Sequence, residues 1–307
     1  GNKLFLRMAN EGGGGSLSNP AAAGNGFTMR RGHTMVWIGW LGDVPLAANG
    51  TAAGMQLPLA NDGARALTGM SVEEAVLDDV QPRSRMRLGY PAASLDALLT
   101  VRAHANAQPE EVQSWRWVSG TEIEIERPPR YDAGAIYEFR YLARDPKVMG
   151  LGLAALRDVT GFLKDREAPG NPVADIAPRV TLAVGVSQAG RVLRDFIWQG
   201  FNAAPRGGRV FDGAMPLIAG AKKSFTNYRF ALPGRNATQH NEHHTPGDQF
   251  PFSYGVTTDP LTGRTDGIFA RCAPDDTCPK LMHVDSSTEF WQGRASWVVT
   301  DGAGKDI

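Results

Sequence analysis

The chain has 307 residues, 42% of them hydrophobic, and its 32 Lys and Arg exactly balance its 32 Asp and Glu. With no net charge and no basic cluster interleaved with aromatics, a nucleic-acid or polyanion partner is not expected, and no apolar run approaches membrane-spanning length. The length allows a large core, as one big domain or one domain carrying insertions, and a small molecule is the expected partner.

In chain order, Leu4–Ala9 reads as a strand running into Asn10-Glu-Gly-Gly-Gly-Gly-Ser16. Four glycines there are a flexible tip or a place where backbone amides approach a ligand closely. The next strand spans Arg30–Trp40, and strand, Gly-rich loop, connector and strand in this order suggest a βαβ-type parallel sheet, with 1–45 as the first part of the core. Residues 46–145 change character. Short strand-like runs, Met55–Leu59, Ala97–Val101, Trp115–Val118, Glu122–Ile125 and Ala135–Tyr141, recur between Pro and Gly, which reads as an inserted antiparallel β-rich unit. The core resumes over 146–219. Gly152–Lys164 is an amphipathic helix, with Leu153, Leu156, Val159 (or Thr160) and Leu163 on one side.

Val180–Val184 is then a short buried strand and Arg191–Gln199 a helix, with Gly185-Val-Ser-Gln-Ala189 between them. Val210–Ala219 reads as a further strand. Residues 220–279 are long, polar and irregular, and a stretch of that kind is expected to be a lid or cap insertion. Lys280–Val284 is the last strand, inside a final core piece 280–307. Cys272 and Cys278 lie in a turn-rich stretch, where a small disulfide-closed loop is favoured over two free thiols. Gly1 is not an initiator Met, so the sequence is expected to be a piece of a longer chain; the missing signal segment says nothing against secretion, and an exported (periplasmic or extracellular) location is expected.

Strand, sharp turn with a serine at its tip, and helix make a nucleophile elbow, in which Gly185 and Ala189 supply the small neighbours such a turn requires. The alternative is a serine that merely caps the helix. Ser187 is the candidate nucleophile. The Gln188 amide, at a helix start, can donate to an oxyanion, and the Gly12–Gly15 loop, Gly12 and Gly13 foremost, occupies the place of the second donor. The acid should follow the nucleophile at a strand's C-terminal end. Asp212 precedes its strand, Asp285 sits at a strand terminus, and Glu289 lies a few residues on; Glu289 is favoured, with Asp285 second.

The base is the gap, because no histidine follows Glu289 up to Ile307. His33 and His283 fall in strands as packing or hydrogen-bonded residues, and His104 in the inserted unit. His240, His243 and His244 form a cluster that lines the site, binds a metal with Asp248, or is simply a solvated loop; the solvated or substrate-lining loop is favoured. The base is expected beyond Ile307. Phe250, Phe252, Tyr254 and Phe269 either line an apolar substrate pocket or pack 220–279 on the core.

Several stretches together resemble the α/β-hydrolase superfamily, and more closely a bacterial group labelled alpha/beta hydrolase domain. They include Arg31-Gly-His-Thr-Met-Val-Trp-Ile-Gly-Trp-Leu-Gly-Asp43, Tyr90-Pro-Ala-Ala-Ser-Leu-Asp96, Gly185-Val-Ser-Gln-Ala-Gly-Arg191, Asp259-Pro-Leu-Thr-Gly-Arg-Thr-Asp-Gly267 and Ser286-Ser-Thr-Glu-Phe-Trp291. The resemblance implies a mostly parallel sheet flanked by helices, with Ser187 as nucleophile and Glu289 as triad acid. It also implies further chain at both ends, including a His-Gly loop. The expected activity is that of a serine carboxylic-ester hydrolase working through a Ser-His-Glu triad, with no cofactor and no metal. The alternative is a non-catalytic scaffold of the same fold that binds a small ligand or partner. Substrate and oligomeric state are not legible.

Overall fold

The computed structural model describes residues 3–8, 25–43, 54–131, 133–176, 178–233 and 247–307. The chain divides into two compact units, one built from 1–56, 150–224 and 247–307, the other from 57–149 and 225–246. The walk begins with β1 (Lys3–Met8) and β2 (His33–Ile38). It enters the second unit through β3 (Thr68–Leu77), β4 (Arg83–Arg87), β5 (Ala92–Arg102), β6 (Trp115–Ser119), β7 (Glu122–Glu126) and β8 (Ala135–Arg144). It returns to the first with α1 (Leu151–Lys164), β9 (Val180–Val186), α2 (Gln188–Trp198), β10 (Gly213–Leu217), β11 (Lys280–Leu281) and α3 (Ser287–Trp291).

In the first unit the strands lie in the order β11-β10-β9-β1-β2, and every pair is parallel. A parallel sheet covered on its faces needs apolar residues along its strands. Leu4 and Leu6 of β1 and Ala183 of β9 are buried in one core with Trp40, Leu153, Val192 and Phe196. On α1, Leu153, Leu156, Thr160 and Leu163 are buried, while Val159 is exposed. Thr160 can take the inward position because its hydroxyl donates to the Leu156 carbonyl at 2.7 Å, so no polar atom is left unpaired. The strand expected over Val210–Ala219 is shorter. Asn202 clamps Phe211 at its approach, accepting from its amide at 2.9 Å and donating to its carbonyl at 3.0 Å.

The second unit carries two larger antiparallel sheets, β3-β8-β5 with Glu110–Glu111 at its edge, and β4-β7-β6, besides a two-stranded ribbon of Asn61–Asp62 and Arg65–Ala66. Phe139 of β8 is fully buried and meets Trp115 and Trp117 edge-on at 5.0 and 5.5 Å. The β4–β7 pairing sets Arg83 beside Glu126 at 3.0 Å and Arg85 beside Glu122 at 3.5 Å. The expectation of a strand over Met55–Leu59 fails, since only Leu59 makes a bridge, to Lys147.

The stretch 220–279, expected as one lid, divides. Residues 225–233 pack within the second unit, where Tyr90 donates its hydroxyl to the Ala231 carbonyl at 2.6 Å. Residues 220–224 and 247–279 instead cover α2, which is buried on all sides. Its polar side chains are therefore inside and need partners. Arg194 donates to the carbonyls of Gly220 and Phe252, and Asp195 accepts from the Ser224 amide at 2.8 Å. The Lys223 ammonium donates to the Pro251 carbonyl at 2.9 Å, lies 4.2 Å from the Trp198 ring, and is 3.9 Å from Asp195 Oδ1. Cys272 and Cys278 are joined as a disulfide in this layer.

Burial drives the Lys223 ammonium down to about 7, although the Asp195 charge opposes it. Between there and the ordinary lysine value of about 10.4, the unfolded chain holds a proton that native Lys223 has lost. Stability contributed through this group therefore rises with pH across that window. Urea melts between pH 8 and 10 should show a slope of up to about 1.4 kcal/mol per pH unit that Lys223→Met removes. An identical slope in the variant would contradict this placement.

Candidate active site

The turn between β9 and α2 places Ser187 at its tip with φ 54° and ψ −117°, a left-handed backbone conformation that non-glycine residues avoid and that costs of order 1–3 kcal/mol. It is held from both sides. The Ser187 amide donates to the Leu217 carbonyl at 2.8 Å, and its carbonyl accepts from the Arg191 amide at 3.1 Å. The turn is so tight that a Cβ on Gly185 would stand 2.2 Å from the Ala189 carbonyl oxygen, and one on Gly190 would stand 2.9 Å from the Ala219 Cβ. This is why the sequence around Ser187 consists of Gly, Ala and Gly on the crowded sides. Gln188 is the first residue of α2 and is buried. Helix starts present amides without intrahelical acceptors, which is the chemistry an oxyanion requires. Gly12 and Gly13 lie outside the described residues, as do His240, His243 and His244.

The neighbouring strand ends bring the acid candidates to the same edge of the sheet. Leu217, the acceptor for Ser187, bridges in parallel to Val284, and Asp285 follows directly. Two strand spacings are about 10 Å, which leaves room for one imidazole between a serine and a carboxylate. Asp212 sits at the opposite end, where it accepts from the Thr181 amide at 2.8 Å.

The two remaining carboxylates are used differently. Asp285 Oδ1 accepts from the Gly220 amide at 3.1 Å, and Oδ2 lies 2.8 Å from His283 Nε2. Burial pushes the Asp285 carboxyl up, but His283, the Gly220 amide and the Arg194 charge outweigh it and hold the group below the usual carboxylate range. His283 is in turn tied on its other side, with Nδ1 2.9 Å from the Tyr254 hydroxyl. Burial pushes that phenol up to about 12, with Arg194 opposing, so it stays a neutral donor. His283 Nδ1 thus faces Tyr254 and Nε2 faces Asp285, the latter off the line of a hydrogen bond.

Glu289 is in the first turn of α3 and closes a capping box, its Oε2 accepting from the Ser286 amide at 3.2 Å and from the Ser286 hydroxyl. Its Oε1 has no partner among the described residues. One oxygen thus anchors the side chain while the other remains an acceptor. Of the aromatic side chains expected around a pocket, Tyr254 and Phe269 pack on the core at 5.1 Å from each other. Phe250 and Phe252 line a cavity of about 730 Å³. His33 of β2 pairs with Lys3 of β1 and has Nδ1 3.1 Å from the Thr28 carbonyl. The Tyr254–His283–Asp285 cluster was not visible in the sequence, although His283 and Asp285 stand two apart on one face of an extended segment, which is the one local signal for it.

Residues 91–304 match the family described as Alpha/beta hydrolase domain, a span covering more than half the chain and including the elbow and both carboxylates. The chain belongs to that family. Searches of curated proteins and of solved structures gave no match. An α/β-hydrolase fold accounts for the parallel sheet of the first unit, and the separate antiparallel sheets are insertions into it.

The tightness of the elbow has a measurable consequence. Gly185→Ala is expected to destabilise the protein by about 2 kcal/mol or more, because the obstructing atom is backbone and cannot rotate away. Gly120→Ala, at a position with no atom within 4 Å, should stay within about 0.5 kcal/mol. Denaturant melts giving equal losses for the two variants would refute this geometry.

Proposed function

We propose that the protein is a serine hydrolase acting on carboxylic esters through an acyl-enzyme. The observation that carries the reading is Ser187 itself, a serine kept at positive φ on the tip of a strand–helix turn in a family of hydrolases. A merely helix-capping serine would accept from the first-turn amides with its side chain, and Ser187 makes no such cap bond. In this reading the Ser187 hydroxyl attacks the ester carbonyl, and the Gln188 amide, with an amide of the Gly12–Gly13 loop, holds the oxyanion. A histidine takes the serine proton and returns it to the leaving alcohol. Glu289 Oε1 orients that histidine, because Asp285 is already committed on both oxygens to Gly220 and His283. The Cys272–Cys278 disulfide supports an oxidising, exported location for the protein.

The test is pre-steady-state hydrolysis of a p-nitrophenyl ester by the intact protein. A burst of one nitrophenol per chain, followed by slower turnover, is expected. Ser187→Ala should abolish the burst, and Glu289→Gln should lower kcat by roughly 10²–10⁴-fold with little change in melting temperature. Asp285→Asn should act chiefly on stability. Turnover unaffected by Ser187→Ala would end the hydrolase reading. A kcat loss confined to Asp285→Asn would move the acid role to that residue.

A further inference from the structure

The cavity of about 730 Å³ in the first unit falls within the size range of small-molecule sites, and Ser187 does not line it. Its walls combine flat apolar surfaces with guanidinium groups. Phe252 and Trp297 meet at 4.6 Å with their planes at 60°, and Trp297 remains 43% exposed. Arg294 is paired with Asp248, its Nε 3.3 Å from Oδ2, and both residues line the cavity. Arg264 stands over the Phe250 ring at 6.0 Å, and no carboxylate lies within 4 Å of it among the described residues. Three aspartates share the lining: Asp248 faces Arg294, and the other two are held by their own turns. Asp259 accepts from the Leu261 amide at 3.2 Å and from the Thr262 hydroxyl, and Asp301 accepts from the Ala303 and Lys305 amides, both at 2.9 Å.

Flat apolar walls select a planar ring, and guanidinium forks with uncommitted N–H groups select a carboxylate, which they bind in parallel pairs of hydrogen bonds. We propose that this cavity is a binding site for a small aromatic monocarboxylate, with its ring against Phe252 and Trp297 and its carboxylate on Arg264, the Arg294–Asp248 pair lying in the same lining. The standing negative charge of Asp248, Asp259 and Asp301 favours a single anionic group over two. The site stands apart from the elbow, so it does not depend on Ser187 being a nucleophile.

Calorimetric titration of the intact protein with benzoate, benzyl alcohol and phthalate tests it. Benzoate is expected to bind at least tenfold more tightly than either of the other two, since a site arranged around a carboxylate rejects the ligand that lacks one. Arg264→Leu should cost at least tenfold in benzoate affinity while leaving benzyl alcohol unchanged. Trp297→Ala should weaken both ligands, and Ser187→Ala should bind benzoate as the parent protein does. Arg294→Leu repeats the charge test if it folds without its Asp248 pair; Arg264, exposed and outside any ion pair among the described residues, decides the matter if it does not. Benzoate binding no tighter than benzyl alcohol, benzoate affinity unchanged in Arg264→Leu, or no binding heat for benzoate at millimolar concentration would each overturn the proposal.

Discussion

The backbone approach at the β9–α2 junction governs the rest of the first unit. Gly185 must pass the Ala189 carbonyl so closely that a single methyl group would collide with it. This contact lets the chain reverse within four residues and sets Ser187 at positive φ. It also fixes where α2 lies on the sheet, and through the Ser187–Leu217 hydrogen bond it ties the elbow to β10. From β10, the bridge from Leu217 to Val284 carries the same alignment to the carboxylates at the sheet edge. Strain at one residue persists because the surrounding structure over-determines it, and such positions gather at functional sites.

A second constraint follows from the first. A helix placed by the elbow and then covered by 220–224 and 247–279 has no wet face, so Arg194, Asp195 and Lys223 are all buried. Each meets a carbonyl, an amide or an opposite charge contributed from elsewhere in the chain. That arrangement gives the covering layer its specificity, since removing one partner leaves a buried charge uncompensated. It also reaches the sheet edge, because Arg194 donates to the Gly220 carbonyl while the Gly220 amide donates to Asp285. Asp285 and His283 therefore hold the layer in place, and Glu289, with one oxygen in its capping box, is the carboxylate we propose to orient the base.

Much of this was legible in the sequence wherever the signal was local. The run Val180–Val184, the small residues about Ser187 and the helical spacing after it specified a strand, a tight turn and a helix. The face of α1 was readable to within the choice between Val159 and Thr160, which an intrahelical hydroxyl bond decided. What escaped was set by partners distant in sequence. Arg83–Arg87 has no apolar alternation of its own and is a strand because Glu122–Glu126 lies opposite it. Thr68–Leu77 contains Glu73 and Glu74, which look wet in sequence, but Glu73 accepts from the Gly89 amide and Glu74 pairs with Arg102 at 3.3 Å. The polar residues of α2 are buried for the same reason. The irregular composition of 220–279 signalled an insertion, without showing that most of its described residues would serve as packing over α2.

The most direct test of the central claim is covalent. A fluorophosphonate should label the intact protein at one site, and peptide mapping by mass spectrometry should place the adduct on Ser187, with labelling lost in Ser187→Ala. An adduct on another residue, or no adduct on folded intact protein, would contradict the account of this turn as a nucleophile elbow.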